Sequence, residues 1–125
     1  MRDLKSNIGF DISLAPAART ASANGASSDL KGYEGVAVVF LPGTITDGTH
    51  TPKLQESDDN STFTDVAAAD QLGTLAVLAS STAQKVGYIG IKRYLRAVVT
   101  VAGASTGGVY TGVIVRGVAA ARPVA

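Results

Sequence analysis

The amino-acid sequence predicts an all-β protein, a single-domain antiparallel β-sandwich or jelly-roll-like fold with an extended N-terminal arm. Three observations carry this expectation. About eight short segments rich in β-branched and aromatic residues follow one another, Gly, Asp, Asn, Ser and Pro separate them, and no stretch sustains a helical period. A length of 125 residues suits one domain, taken as 1–125. No period of about 20–50 residues recurs, which sets propellers and solenoids aside.

The elements can be justified in order. Ile8, Phe10, Ile12 and Leu14 alternate with Gly9, Asp11 and Ser13, the period of a strand with one packed side. Residues 15–29 are mostly Ala, Ser, Thr, Asn and Gly with no large apolar group before Leu30, and read as an extended arm or loop. Val36–Leu41 is apolar on both faces, as expected of a central strand, and Pro42-Gly43 should end it. Asp47-Gly48 is a turn pair. Pro52–Ser57 and Thr62–Val66 read as a hairpin around the turn Asp58-Asp59-Asn60-Ser61. Ala67–Leu72 has the propensity for one helical turn, stopped by Gly73. Strands are expected over Thr74–Ala79, Gln84–Ile91 and Arg93–Ala102. In the last of these, Leu95, Ala97, Val99 and Val101 share one face and Tyr94, Arg96, Val98 and Thr100 the other. Gly103–Gly108 turns the chain into a final strand, Val109–Arg116. Residues 1–7 and 118–125 are expected to be flexible termini.

Composition narrows the function classes. Hydrophobic residues make up 46%, but 20 of these 57 are alanine, so the core is thin. Eleven Lys and Arg face ten Asp and Glu, a balance unlike that of a nucleic-acid-binding domain. No cysteine is present, which removes disulfides, thiolate catalysis and Cys-ligated zinc. The longest apolar run, Val36–Leu41, is far short of the roughly 20 residues of a membrane-crossing helix. The N-terminal Met1–Asn7 lacks the apolar region, about 7–15 residues long, of a signal peptide. A soluble protein made in the cytoplasm is expected, with no membrane and no direct nucleic-acid partner.

Candidate chemistry was sought in four places. Gly103-Ala104-Ser105-Thr106-Gly107 matches the pattern of a nucleophile elbow, which exposes a serine between a strand and a helix. Here a strand-like run follows, so a hairpin loop is the better reading. His50 is the one histidine, and a triad would need a serine and a carboxylate that nothing in the sequence marks. Asp47, Glu56, Asp58, Asp59, Asn60 and Asp65 are rich in the oxygens that calcium takes, but they lack the alternation of an EF-hand loop, which favours an exposed Asx turn. Gly87-Tyr88-Ile89-Gly90 lacks the lysine and third glycine of a phosphate loop and reads as a bend. No catalytic, cofactor-binding or metal residue is therefore assigned, no cofactor is expected, and the chain is not expected to be an enzyme.

Charge is segregated along the chain. Lys85, Lys92, Arg93, Arg96, Arg116 and Arg122 occupy a C-terminal third without an acid, whereas residues 47–70 hold six acids against Lys53. Two readings remain open: ordinary solvated strand faces, or a surface of two signs that docks copies or partners in register.

Gly43–Thr64 resembles a stretch of small structural proteins of tailed bacteriophages and prophages. So does Gly87–Arg96, followed by the Thr106-Gly107-Gly108 turn, together with Ser6-Asn7-Ile8 and Leu14-Ala15-Pro16-Ala17. The resemblance is strongest to capsid cement, or decoration, proteins. It implies a virion protein on the capsid surface that binds the major capsid protein, self-associates as a dimer or trimer, and stabilises the shell. Other virion stations are the alternatives: tail tube, head completion or a fibre-associated subunit. A carbohydrate-binding module displaying Tyr33, Tyr88, Tyr94 and Tyr110 is a third class.

Overall fold

The computed structural model describes residues 3–119. Ten strands form two antiparallel sheets: β1 Ile8–Arg19, β2 Ala23–Asn24, β3 Ser28–Asp29, β4 Tyr33–Ile45, β5 Thr49–Ser57, β6 Thr64–Asp65, β7 Gln71–Leu72, β8 Gln84–Tyr88, β9 Tyr94–Ala102 and β10 Gly108–Ala119. Sheet I has the order β1-β10-β4-β8-β7. Sheet II has the order β2-β9-β5-β6, with β3 also on β9.

The pairing is that of a long hairpin rolled up. The first strand pairs with the last, β2 and β3 with β9, β4 with β8, and β5 with β6 around the turn at 58–63. Rolling then brings β10 onto β4 and β9 onto β5. This is the wrapping of a jelly roll. Between the sheets lie Leu14, Val38, Phe40, Leu54, Val86, Leu95, Val99 and Ile114, all almost fully buried. Each such side chain contributes about 1.5–3 kcal/mol on burial.

Four expectations are corrected. The arm at 15–29 is not free: residues 15–19 continue β1 along β10, and the chain then crosses to sheet II as β2 and β3. Small residues are needed there because the crossing is close. Gly25 donates to Ala97 O at 2.8 Å, and a Cβ on it would lie 2.6 Å from that oxygen. The buried Ser13 hydroxyl ties the crossing by donating to Ala26 O and accepting from Ala97 N–H. Next, Pro42 does not end β4, because it sits opposite Tyr110 at a register shift where the ladder does not need its missing N–H.

Thr74–Ala79 is not a strand either. Its backbone groups are taken by the Gln84 side chain, which bonds Ala76 N and O, and by His50 O, which accepts from Leu78 N–H. Lastly, the N-terminal segment is not without structure: Lys5–Asn7 form a 3-10 turn, with Ser6 N–H on the Asp3 carboxylate; residues 1 and 2 lie outside the described residues. The backbone of Val118 and Ala119 belongs to β10, and the rest of the expected C-terminal tail, 120–125, lies outside the described residues. The helical turn forms as a 3-10 turn at Ala68–Asp70, and the returning strand of the hairpin is paired only at Thr64–Asp65.

Candidate functional surfaces

His50 lies on the inward side of β5, alternating with Leu54 and Glu56, and is completely buried. Its Nε2 is 3.0 Å from Asp47 O, which can only accept, so Nε2 carries the hydrogen. Nδ1 is therefore the acceptor of the Tyr110 hydroxyl at 2.9 Å. The rings meet edge to face at 5.2 Å, and the Arg19 guanidinium covers the Tyr110 ring from 5.3 Å. Both imidazole nitrogens are thus committed to holding this end of the sandwich.

The same knot absorbs the elbow-like loop. The Asp47 carboxylate accepts from the N–H groups of Ser105, Thr106 and Gly107, the last at 2.6 Å. Those bonds, Gly107's first, hold its carboxyl below the usual range. The N–H of Thr106, which follows the serine and would be an oxyanion donor in a hydrolase, is filled by the chain's own carboxylate. Gly107 has φ +80°, and a Cβ on it would overlap Arg19 O. The loop is a clamp of β10 onto the β4–β5 turn.

The oxygen-rich residues do not converge. Asp59 caps its own turn by accepting from Thr62 and Ser61 N–H and from the Ser57 hydroxyl, which lowers its pKa to about 2. Asp58 pairs with Lys92 at 2.6 Å, and Asp65 with Lys53 at 3.1 Å and Gln55 at 2.9 Å. Glu56 accepts from the buried Tyr88 hydroxyl, whose pKa is raised by burial first and by that carboxylate second. Among the described residues no group of three or more His, Asp or Glu is arranged to hold a metal ion.

Charge segregation along the chain disappears in the fold. Arg93 forms a two-pronged pair with Asp29, at 2.9 and 2.8 Å, that lowers the Asp29 pKa to about 2. Arg116 reaches Asp11 at 3.5 Å and lies over the Tyr33 ring, and Arg96 lies over Phe63 while bonding Gln55. Four of the described cations, Lys53, Lys92, Arg93 and Arg116, thus pair with Asp65, Asp58, Asp29 and Asp11; Arg122 lies outside the described residues. Tyr88 and Tyr110 are core residues, and Tyr33 and Tyr94 are covered by Arg116 and Arg93. Gly87 lies within β8 with Leu72 leaning over it, and Gly90 follows in the bend. That bend and the loop at 30–34 flank an open cleft of about 530 Å³, at whose rim Ile91 is 95% exposed.

The feature that composition and motifs missed is the outward face of sheet I. Phe10, Val115, Ala37, Gly87 and Leu72 stand in register across all five strands. In the next row come Ile12, Val113, Val39 and Lys85. Phe10, Ile12 and Leu72 are each more than half exposed. On sheet II the outward positions are instead mostly polar: Thr49, Thr51, Lys53 and Gln55 of β5, and Tyr94, Arg96, Val98, Thr100 and Ala102 of β9. The signal was present in the two-sided apolar run Val36–Leu41: its inner half is in the core, and its outer half is bare.

No family model matches the chain. No curated protein matches it. Among solved structures, the crystal structure of the SPBc2 prophage-derived protein YomS is similar in fold, with a TM-score of 0.51 and 16% identity over 92% of this chain and 99% of that one.

Proposed function

We propose that this chain is a non-enzymatic structural protein of a tailed-phage head, bound outside the shell and bridging neighbouring major capsid subunits. The supporting observation is the sandwich shared over nearly the whole chain with a prophage-derived protein. The resemblance of Gly43–Thr64 and Gly87–Arg96 to phage virion proteins agrees with it. The residues that could have carried chemistry are occupied in holding the fold: His50 by Tyr110 and Asp47, and the Ser105 loop by the Asp47 carboxylate.

What this molecule offers a partner is contact. Packed DNA loads a shell outward, and a stiff domain seated across a seam resists separation in proportion to the area it adds on both sides. The clamp at 103–107 and the crossing at Gly25 keep the sandwich from shearing under such a load. Self-association as a dimer or trimer would multiply the seams each unit spans. The test is genetic and physical: virions should contain the protein at tens to hundreds of copies, and heads lacking it should break at lower temperature or on dilution into low salt. Heads of undiminished robustness would overturn the proposal.

A further inference from the structure

Sheet I shows solvent a face that is apolar along one full row of its ladder and along a second row up to Lys85. An antiparallel sheet covered on one side ordinarily alternates to polar residues on the other, as sheet II of this molecule does. The contrast within one chain marks sheet I as a surface that is covered when the protein is at work.

We propose that a second copy of this chain covers it, the two packing sheet on sheet about a two-fold axis that runs along the strands over the β4–β10 seam. Three features favour a second copy. The face is complementary to itself: that rotation sets β10 over β4 of the other copy and β1 over β8. Val113 then meets Val39, and Phe10 meets Leu72 where it leans over Gly87, apolar side chain on apolar side chain. Charge agrees as well. Lys85 is the one charged side chain among the outward positions described on β1, β4, β8 and β10; it sits on β8, away from the seam, where the rotation lays Ile12 of the other copy across its aliphatic stem and leaves its ammonium at the rim. No acidic partner is called for.

Area is the third feature. The overlapping parts, β10 against β4 and β8 against the matching stretch of β1, at about 4.8 Å between strands and about 3.3 Å per residue, outline about 540 Å² on each copy. Two copies would bury about 1,100 Å² together, just above the roughly 1,000 Å² that a specific interface should clear. The two central sheets would lie about 10 Å apart, as aligned sheets do. This deepens the head-protein reading and rests on it only for where the dimer is used.

Sedimentation equilibrium of the full chain tests it. The protein should be a dimer at high micromolar concentration, and Phe10→Asp with Leu72→Asp, which sets acid against acid across the interface, should weaken association by about 100-fold or more. Both side chains are exposed, so the variant should fold; Thr51→Asp on sheet II should leave the dimer intact. A measurement on the unaltered protein guards against a folding defect: a soluble paramagnetic probe should fail to broaden the Val39 and Val113 methyl signals. A monomeric wild type, or methyls fully open to the probe, would overturn the inference. A monomer that still coats phage heads would overturn it while leaving the head role standing. A dimer missing from virions would support it and overturn that role instead.

Discussion

Replacing Tyr110 with phenylalanine tests whether His50 is a fixture of the core. The two side chains are 2% and 0% exposed, and the hydroxyl is the one partner the structure gives Nδ1. In Tyr110→Phe the ring packing is kept, but Nδ1 becomes an unpaired acceptor with no room for water, which costs about 1–3 kcal/mol. A domain of 125 residues, at about 2.1 cal/mol/K per residue, unfolds with an entropy near 0.26 kcal/mol/K, so the midpoint should fall by about 4–11 °C. The assay is a calorimetric melt of wild type, Tyr110→Phe, His50→Leu and the double variant. Because Asp47 O lies near the surface and can take water, the double variant should be less damaged than the sum of the singles, by at least about 1 kcal/mol. A midpoint for Tyr110→Phe within about 1 °C of wild type would refute the assigned role.

Other perturbations follow from the same contacts. Gly107→Ala forces a side chain into φ +80°, which costs about 1–2 kcal/mol, and drives its Cβ into Arg19 O; the loss in a denaturant melt should exceed about 2 kcal/mol. Ser105→Ala should stay within about 0.5 kcal/mol of wild type and still enter virions, since only the backbone of Ser105 is used. Acid should destabilise through Asp29 and Asp59. Their folded values of about 2 lie below the ordinary 3.8, so the stability they add is present above pH 3.8 and is lost as the pH falls towards 2. Melts between pH 5 and pH 2 would show the decline; a flat profile would contradict the pairings.

Strands with strict alternation were legible in the sequence because each states its own two faces: Leu95–Val101 in β9 and Tyr110–Ile114 in β10 pack as their periodicity requires. Segments stabilised from outside themselves were not. Residues 15–29 carry no apolar stripe because they are edges, held by backbone bonds to β10 and β9 and by Ser13. Thr74–Ala79 has strand composition, but its partners are the Gln84 side chain, eight residues along from Ala76, and a single carbonyl, His50 O, on Leu78 N–H. The strand expected at Pro52–Ser57 begins three residues earlier in the fold, at Thr49, and the alternation of Leu54 and Glu56 carried back through Pro52 places His50 inward. The opposed charges at Asp58–Lys92 and Asp29–Arg93 are far apart in sequence, so no local pattern announces that they meet.

A cryo-electron microscopy map of the mature particle is the most direct test of the proposed role on the outside of a phage shell. Density of this fold should repeat across the outer head surface, seated over junctions between capsid subunits. Density only in a ring, a tube or a tail tip, or none at all, would contradict that role.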